Sequence, residues 1–161
     1  LEQLVTIKTK RYEQALKLME EKTTLLEKEK KILQEKESEK EEILLHKQSK
    51  MDQLRNLLDE GTTSDKIQLM KNYLQVVDEK VYEKEREVER QKGVVEKAKK
   101  ELEIAKTNFF QRKKDLEKLE IHRTEWQKEV KHWILHQEEI EQDEQGSTKH
   151  ILKKQEEKKR K

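Results

Sequence analysis

Two histidines in the second half of the chain have the spacing of metal ligands on a helix. His132 and His136 are four residues apart, so a helix would bring both imidazoles to one face. A zinc site needs a third ligand and usually a fourth, and only Glu129 and Glu139 are near. Trp133 stands where the HExxH motif requires glutamate, so that motif is absent. We therefore expect no bound metal, and we interpret both histidines as solvated side chains.

Other reactive groups are missing or open to water. The chain has three glycines, too few for a phosphate-binding loop, and it has no cysteine, which removes thiolate chemistry and disulfides. Carboxylates are abundant, but on exposed helix faces they stay hydrated, and nothing there raises a pKa for acid–base work. We expect no cofactor and no catalytic residue, and we predict that the protein is not an enzyme.

The composition indicates long helices rather than a globular core. The 161 residues are 46% charged and 30% hydrophobic, with no proline, whereas globular domains are about 25% charged. A net charge of +2 argues against a nucleic-acid partner. The longest apolar runs, Ile43–Leu45 and Trp133–Leu135, are too short to insert into a membrane. The absence of cysteine is typical of a reducing compartment.

Apolar residues in the second half recur every seven positions in two interlocking columns. This heptad period predicts a coiled coil whose seam, the line of a and d positions, needs a partner helix. Lys84, Gln91, Arg112 and Arg123 are polar residues within the seam, which can fix the register. One column contains Ile67, Leu74, Val81, Val88, Val95, Leu102, Phe109 and Leu116, and the other Met70, Val77, Ala98, Ala105, Leu119, Trp126, Trp133 and Ile140.

A turn signal divides the chain. Gly61 suits the left-handed position after a helix. Thr62, Thr63 and Ser64 can each cap the next helix, and Thr62 with Asp65 has capping-box spacing. We predict one all-α domain over residues 1–161, an antiparallel coiled-coil hairpin whose second helix is longer. The alternative is a structural rod or spacer: a parallel homodimer with a helix continuous through Gly61. The predicted segments of the hairpin are helix one (1–59), the turn (60–64), helix two (65–145) and a flexible basic tail (146–161).

The first half has a less regular pattern. Leu4, Leu18, Leu25 and Ile32 form one column, and Val5, Tyr12, Met19, Leu26 and Leu33 form the adjacent one. After Leu33 the apolar pattern steps by eleven residues, which predicts a local change of supercoil. Residues 35–42 are almost wholly charged, so we expect this stretch to pack poorly.

Folding about Gly61 pairs residue i with residue 123 − i, which places Leu25 opposite Ala98. The second helix then extends past the first, and Trp126, Trp133 and Ile134 lie in the extension. Exposed aromatic residues there would be candidates for binding a partner, with Tyr12 as a further candidate. The alternative is that residues upstream of Leu1 pack on them.

Three stretches resemble known sequences. They are LDEGTTSDKIQLMKNYLQVV (residues 58–77), HRTEWQKEV (122–130) and EQDEQG (141–146). In order and spacing they resemble the YscO-like type III secretion proteins of chlamydiae, and the likeness runs over nearly the whole chain. The YscO family is similar to flagellar FliJ, a two-helix coiled coil shaped like the γ stalk of rotary ATPases.

The resemblance implies a non-enzymatic coupling protein of the type III secretion apparatus. It implies binding to the hexameric export ATPase and to export chaperones, with an export-gate protein as a further candidate partner. It also implies a location in the bacterial cytoplasm, peripheral to the inner-membrane base of the apparatus. We expect a monomer with these partners.

Overall fold

A computed structural model describes residues 2–159, which form two helices. Helix α1 spans Glu2–Glu60 (59 residues) and helix α2 spans Ser64–Lys159 (96 residues). No strand occurs within residues 2–159. The predicted all-α hairpin with a longer second helix is therefore confirmed.

The turn between the helices occupies residues 61–63. Gly61 has φ of +77°, the left-handed conformation that a Cβ disfavours. The Ile67 N–H donates to the Thr63 carbonyl at 3.2 Å, so Thr63 is the N-cap of α2. Asp65 lies in the first turn, as predicted. The Thr62–Asp65 capping box is wrong, because a cap at Thr63 puts Lys66 at the third helical position.

The contacts divide the chain into two compact units. The hairpin unit is Glu13–Phe110, and the described part of the terminal unit is residues 2–12 with 111–159. The prediction of one domain stays a prediction. A parallel rod would need an unbroken helix at Gly61, and the helix is interrupted there.

The helices of the hairpin unit are antiparallel and in the predicted register. Lys22 Nζ lies 2.8 Å from Glu101 Oε2, and Lys84 Nζ lies 2.9 Å from Glu39 Oε2. In both pairs residue i lies opposite residue 123 − i, as predicted. The heptad columns of α2 are confirmed in this unit, where the buried residues are Val77, Val81, Val88, Gln91, Val95, Ala98, Leu102, Ala105 and Phe109.

Gln91 is the buried polar residue of this seam. Its Nε2 donates to the Glu29 carbonyl at 3.1 Å and to Glu29 Oε2 at 2.6 Å. Because a buried amide without partners would be costly, these bonds favour one alignment of the two helices.

The seam of α1 differs from the predicted one. Leu26 is buried against Val95, Ala98 and Leu102, with Met19 and Leu33 beside it. Leu25 is 39% exposed, so Leu26, not Leu25, faces Ala98. The column containing Val5, Tyr12, Met19, Leu26 and Leu33 therefore forms the seam, because it keeps the alternating spacing of three and four residues with Ala15, the other buried residue of α1.

The predicted eleven-residue step in α1 is also wrong. Lys36, Lys40 and Lys47 are half-buried at the positions that continue the heptad after Leu33. Lys40 Nζ lies 3.7 Å from Glu85, and Lys47 pairs with Asp78. Long lysine stems lie along the seam while their charged ends reach carboxylates. A search for apolar residues at heptad spacing does not detect seam positions that lysine occupies. The weak packing expected for residues 35–42 stays a prediction.

In the terminal unit, α1 and α2 are again antiparallel. Lys8 Nζ lies 3.2 Å from Asp115 Oδ2, and Arg123 Nη2 lies 2.6 Å from Glu2 Oε1. Helix α2 continues to Lys159, past the predicted helix end at 145. The flexibility expected for residues 146–159 stays a prediction. Gly146 follows the predicted end, but one internal glycine lowers helix stability by only about 1 kcal/mol relative to alanine. That cost does not end a long helix. Residues 160 and 161 of the predicted tail lie outside the described residues.

Neither described helix contains a stretch long and apolar enough to cross a membrane.

Candidate partner-binding surface

The seam of α2 continues past the end of α1 in the terminal unit. Beyond Arg123, which pairs with Glu2, the seam positions of α2 have no opposing helix within residues 2–159. We call this uncovered part of the seam the exposed stripe. Its residues follow the alternating spacing of four and three, and they are Trp126, Val130, Trp133, Gln137 and Ile140.

The exposed stripe presents aromatic surface to solvent. Trp126 is 55% exposed and Trp133 is 62% exposed. In the hairpin unit Phe109, an aromatic residue of the other seam column, is only 9% exposed. Ile134 borders the stripe and is 44% exposed. The structure therefore brings together three of the four predicted partner-binding residues on one face of α2.

Tyr12 is the exception. It is half-buried at a seam position of α1 and is not part of the exposed stripe. Its role as a binding residue stays a prediction.

One of the two histidines at metal-ligand spacing, His136, has an acidic neighbour in α2, and so does His122 earlier in the helix. His136 Nδ1 lies 3.9 Å from Glu139, one turn further along, and His122 makes the same type of contact with Glu125 at 3.6 Å. Within residues 2–159, no three His, Cys, Asp or Glu side chains converge as a metal site would require. These contacts are exposed i,i+3 pairs that contribute little to stability.

Charge is distributed unevenly around the stripe. Glu129, Glu141 and Asp143 occupy positions that flank the seam. Lys128 and Lys131 occupy the remaining, outward positions of the same heptads. A helix lying on the stripe would therefore meet carboxylates along its edges.

A second apolar surface lies near the turn, in the hairpin unit, and sequence reasoning missed it. Leu69 is 68% exposed and Tyr73 42% exposed, beside Leu57 and Met70. The His46 Nε2 and Tyr73 hydroxyl are 2.7 Å apart, and Lys50 Nζ lies 5.8 Å from the centre of the Tyr73 ring. The available signal was the four-residue spacing of Leu69 and Tyr73 next to the seam column.

Ion pairs between the helices change the titration of three groups. A hydrogen bond from Lys22 lowers the pKa of Glu101 below its ordinary 4.5, and a hydrogen bond from Lys8 lowers that of Asp115 below 3.8. The pKa of Lys84 rises above 10.5, first because of its hydrogen bond to Glu39. These three pairs join α1 to α2, whereas within residues 2–159 no ion pair joins the exposed stripe to α1.

Comparison with known proteins identifies the family. The sequence profile of the YscO-like protein family matches residues 1–156. The chain is 44% identical to CT670 of Chlamydia trachomatis, described as a YscO homolog, over 96% of each chain, with a TM-score of 0.88. No curated protein matches the chain significantly.

A further similarity is to a chain of the CdsV and CdsO protein complex of Chlamydia pneumoniae. It is 47% identical and covers 50% of this chain and 98% of that chain. Its TM-score of 0.48 carries no structural argument. On the profile match and the full-length likeness to CT670, the chain belongs to the YscO-like family and is a component of a type III secretion system.

Proposed function

We propose that this chain is a coupling stalk that binds the hexameric export ATPase through the exposed stripe. The observation that carries the proposal is that both tryptophans of the chain lie exposed on an uncovered seam. Tryptophan is enriched among the residues that dominate binding free energies. Membership of the YscO-like family supplies the type III secretion context.

The proposed mechanism is steric and electrostatic. A coiled-coil stalk that contacts some ATPase subunits more than others would bias which subunits hold ATP tightly. Such coupling requires a seam that resists deformation, and the buried column of the hairpin unit supplies it. The proposed site of action is the cytoplasmic base of the secretion apparatus, next to the inner membrane.

Export chaperones are the second proposed class of partner. The outer faces of both helices are densely charged, with 38 basic and 36 acidic residues in the whole chain. Exposed charges of both signs favour weak association that salt screens. An export-gate protein is a third candidate partner. Pull-down of purified chaperones and of the export-gate protein, each at two salt concentrations, would test the two proposed partners.

ATPase stimulation tests the role of the tryptophans. We expect Trp126→Ala/Trp133→Ala to require roughly tenfold or more protein for half-maximal stimulation, because truncating a central aromatic residue typically removes about 2 kcal/mol of binding free energy. The measurement is ATP turnover by the purified hexamer during titration with the stalk.

The matched control removes exposed apolar surface elsewhere. Tyr82 and Ile104 are 62% and 71% exposed in the hairpin unit, so Tyr82→Ala/Ile104→Ala should stimulate normally. Circular dichroism and light scattering check that each variant stays helical and keeps the expected monomer mass of 19.6 kDa. Unchanged stimulation by the tryptophan variant would exclude the stripe as the ATPase contact.

A further inference from the structure

Two acidic residues that immediately precede seam positions of α2 pair with lysines of α1. Glu101 Oε2 lies 2.8 Å from Lys22 Nζ, and Asp115 Oδ2 lies 3.2 Å from Lys8 Nζ. The two acids are fourteen residues apart, as are the two lysines. Each acid immediately precedes a seam residue of α2. A helix that lies opposite α2 can therefore pair two lysines, fourteen residues apart, with Glu101 and Asp115.

The same interval continues along the exposed stripe. Glu129 lies fourteen residues after Asp115, and Asp143 lies fourteen residues after Glu129. Glu129 immediately precedes Val130 of the stripe, and Asp143 precedes Glu144, the seam position after Ile140. Neither carboxylate makes an ion pair with any residue in the described range 2–159. Glu129 and Asp143 therefore occupy the same heptad position as Glu101 and Asp115, but no lysine of α1 pairs with them.

The whole segment around the stripe is acidic. Its two lysines, Lys128 and Lys131, occupy outward positions, where they cannot neutralise the flanking carboxylates. A basic partner would therefore find apolar and electrostatic complementarity on one face. Between residues 124 and 145 the acidic residues are Glu125, Glu129, Glu138, Glu139, Glu141, Asp143 and Glu144.

We propose that the exposed stripe binds a basic amphipathic helix of another protein, which lies antiparallel to α2 in line with α1. Two basic side chains of that helix, fourteen residues apart, pair with Glu129 and Asp143. The assignment of the helix to the export ATPase rests on the proposed function, whereas its chemistry rests on the stripe alone.

The seam also specifies the apolar residues of the incoming helix. Where α1 covers α2, a large residue opposes a small one, as Leu26 opposes Ala98. Trp126 and Trp133 therefore require small residues opposite them.

Tryptophan fluorescence measures occupancy of the stripe directly, because the chain has only two tryptophans and both lie on it. The probe is a synthetic peptide of residues 5–26 with Met19→Ala/Leu26→Ala, which contains Lys8 and Lys22 at the required interval and no tryptophan. When these lysines pair with Asp143 and Glu129, the two alanines lie opposite Trp133 and Trp126. Added to the full chain, the peptide should shift tryptophan emission to shorter wavelength. A control peptide has Lys8→Glu/Lys22→Glu and should bind about tenfold or more weakly.

Charge reversal on the protein tests the register. Glu129→Lys/Asp143→Lys should weaken binding of the first peptide about tenfold and restore binding of the control peptide. The matched variant Glu125→Lys/Glu138→Lys makes the same change of net charge at outward positions, and it should leave the preference for the first peptide intact. Higher salt should weaken binding of the matched pairs.

Three results would overturn the inference. Equal weakening by both charge-reversal variants would mean a nonspecific charge effect. If the control peptide does not bind the Glu129→Lys/Asp143→Lys variant, the proposed fourteen-residue register is wrong. Emission that shifts with protein concentration alone would mean that a second copy covers the stripe.

These results are separable from the ATPase proposal. If the tryptophan variant loses ATPase stimulation while the charge pattern has no effect on peptide binding, the stripe is the ATPase contact and the basic helix is wrong. If the peptide experiments succeed and stimulation is unchanged, the helix inference stands and the ATPase assignment fails.

Discussion

At the scale of single residues, exposure separates two kinds of apolar side chain on α2. Val95 is 5% exposed in the seam, whereas its neighbour Val94 is 44% exposed. The tryptophans of the exposed stripe occupy seam positions but have the exposure of surface residues. Position in the heptad therefore defines which face a residue occupies, and the presence of an opposing helix decides whether that face is buried.

Adjacent valines provide a direct test of the seam. Val95→Asp should lower the free energy of unfolding by about 3 kcal/mol, because it buries a carboxylate without a partner. Val94→Asp makes the same chemical change at an exposed position and should alter stability by no more than about 0.5 kcal/mol. Thermal unfolding followed by circular dichroism measures both. Equal melting temperatures for the two variants would mean that Val95 is not a core residue.

At the scale of helices, one glycine permits the turn and two others lie within α2. Gly61 has positive φ, while Gly93 and Gly146 are helical. A Cβ added at any of the three would meet no atom within 4 Å. Backbone conformation, rather than space, therefore decides what each substitution does.

Alanine at Gly61 and at Gly93 should change stability in opposite directions. Gly61→Ala should destabilise the fold by about 1–2 kcal/mol, because an L-residue is strained in the left-handed region. Gly93→Ala should stabilise it by about 0.5–1 kcal/mol, because alanine loses less backbone entropy in a helix. Chemical denaturation compares the two. A stabilising Gly61→Ala would contradict the left-handed turn.

At the scale of the whole molecule, ion pairs between α1 and α2 occur in both units. Lys22–Glu101 lies in the hairpin unit and Lys8–Asp115 in the terminal unit. Their partly exposed geometry means that each contributes modestly, and salt weakens it. Together with Lys84 they predict how stability depends on pH.

Stability should fall in acid and in strong alkali. Because the folded-state pKa values of Glu101 and Asp115 are lowered, their contribution is present above the ordinary values of 4.5 and 3.8 and is lost as pH falls through the folded values. The raised pKa of Lys84 gives a contribution present below 10.5 and lost as pH rises through its folded value.

Melting temperature measured against pH tests the acidic side. Glu101→Gln/Asp115→Asn should flatten the decline below about pH 4.5, because neither amide titrates there. Glu13→Gln/Glu83→Gln removes two exposed carboxylates and should keep the wild-type slope. If both variants follow the wild-type curve, the interhelical pairs do not govern acid unfolding.

The sequence alone determined the helical class, the turn and the register. A heptad period needs a facing helix, and a glycine beside capping residues marks where the chain reverses, so Gly61 and the 123 − i pairing followed from local rules. The lysine positions of α1 did not follow, since a half-buried lysine looks polar in a pattern of apolar residues. The helix end predicted at residue 145 was wrong, because Gly146 by itself does not end a long helix.

Only the tertiary structure decided which columns are buried and which is left uncovered. Val5 and Leu26, rather than Leu4 and Leu25, belong to the seam of α1, because two adjacent apolar columns are equivalent until a second helix selects one. Trp126 and Trp133 have the same periodicity as buried residues, and they are exposed because no helix among residues 2–159 lies opposite them. Burial is a property of two surfaces in contact, and the sequence of one helix specifies only one of them.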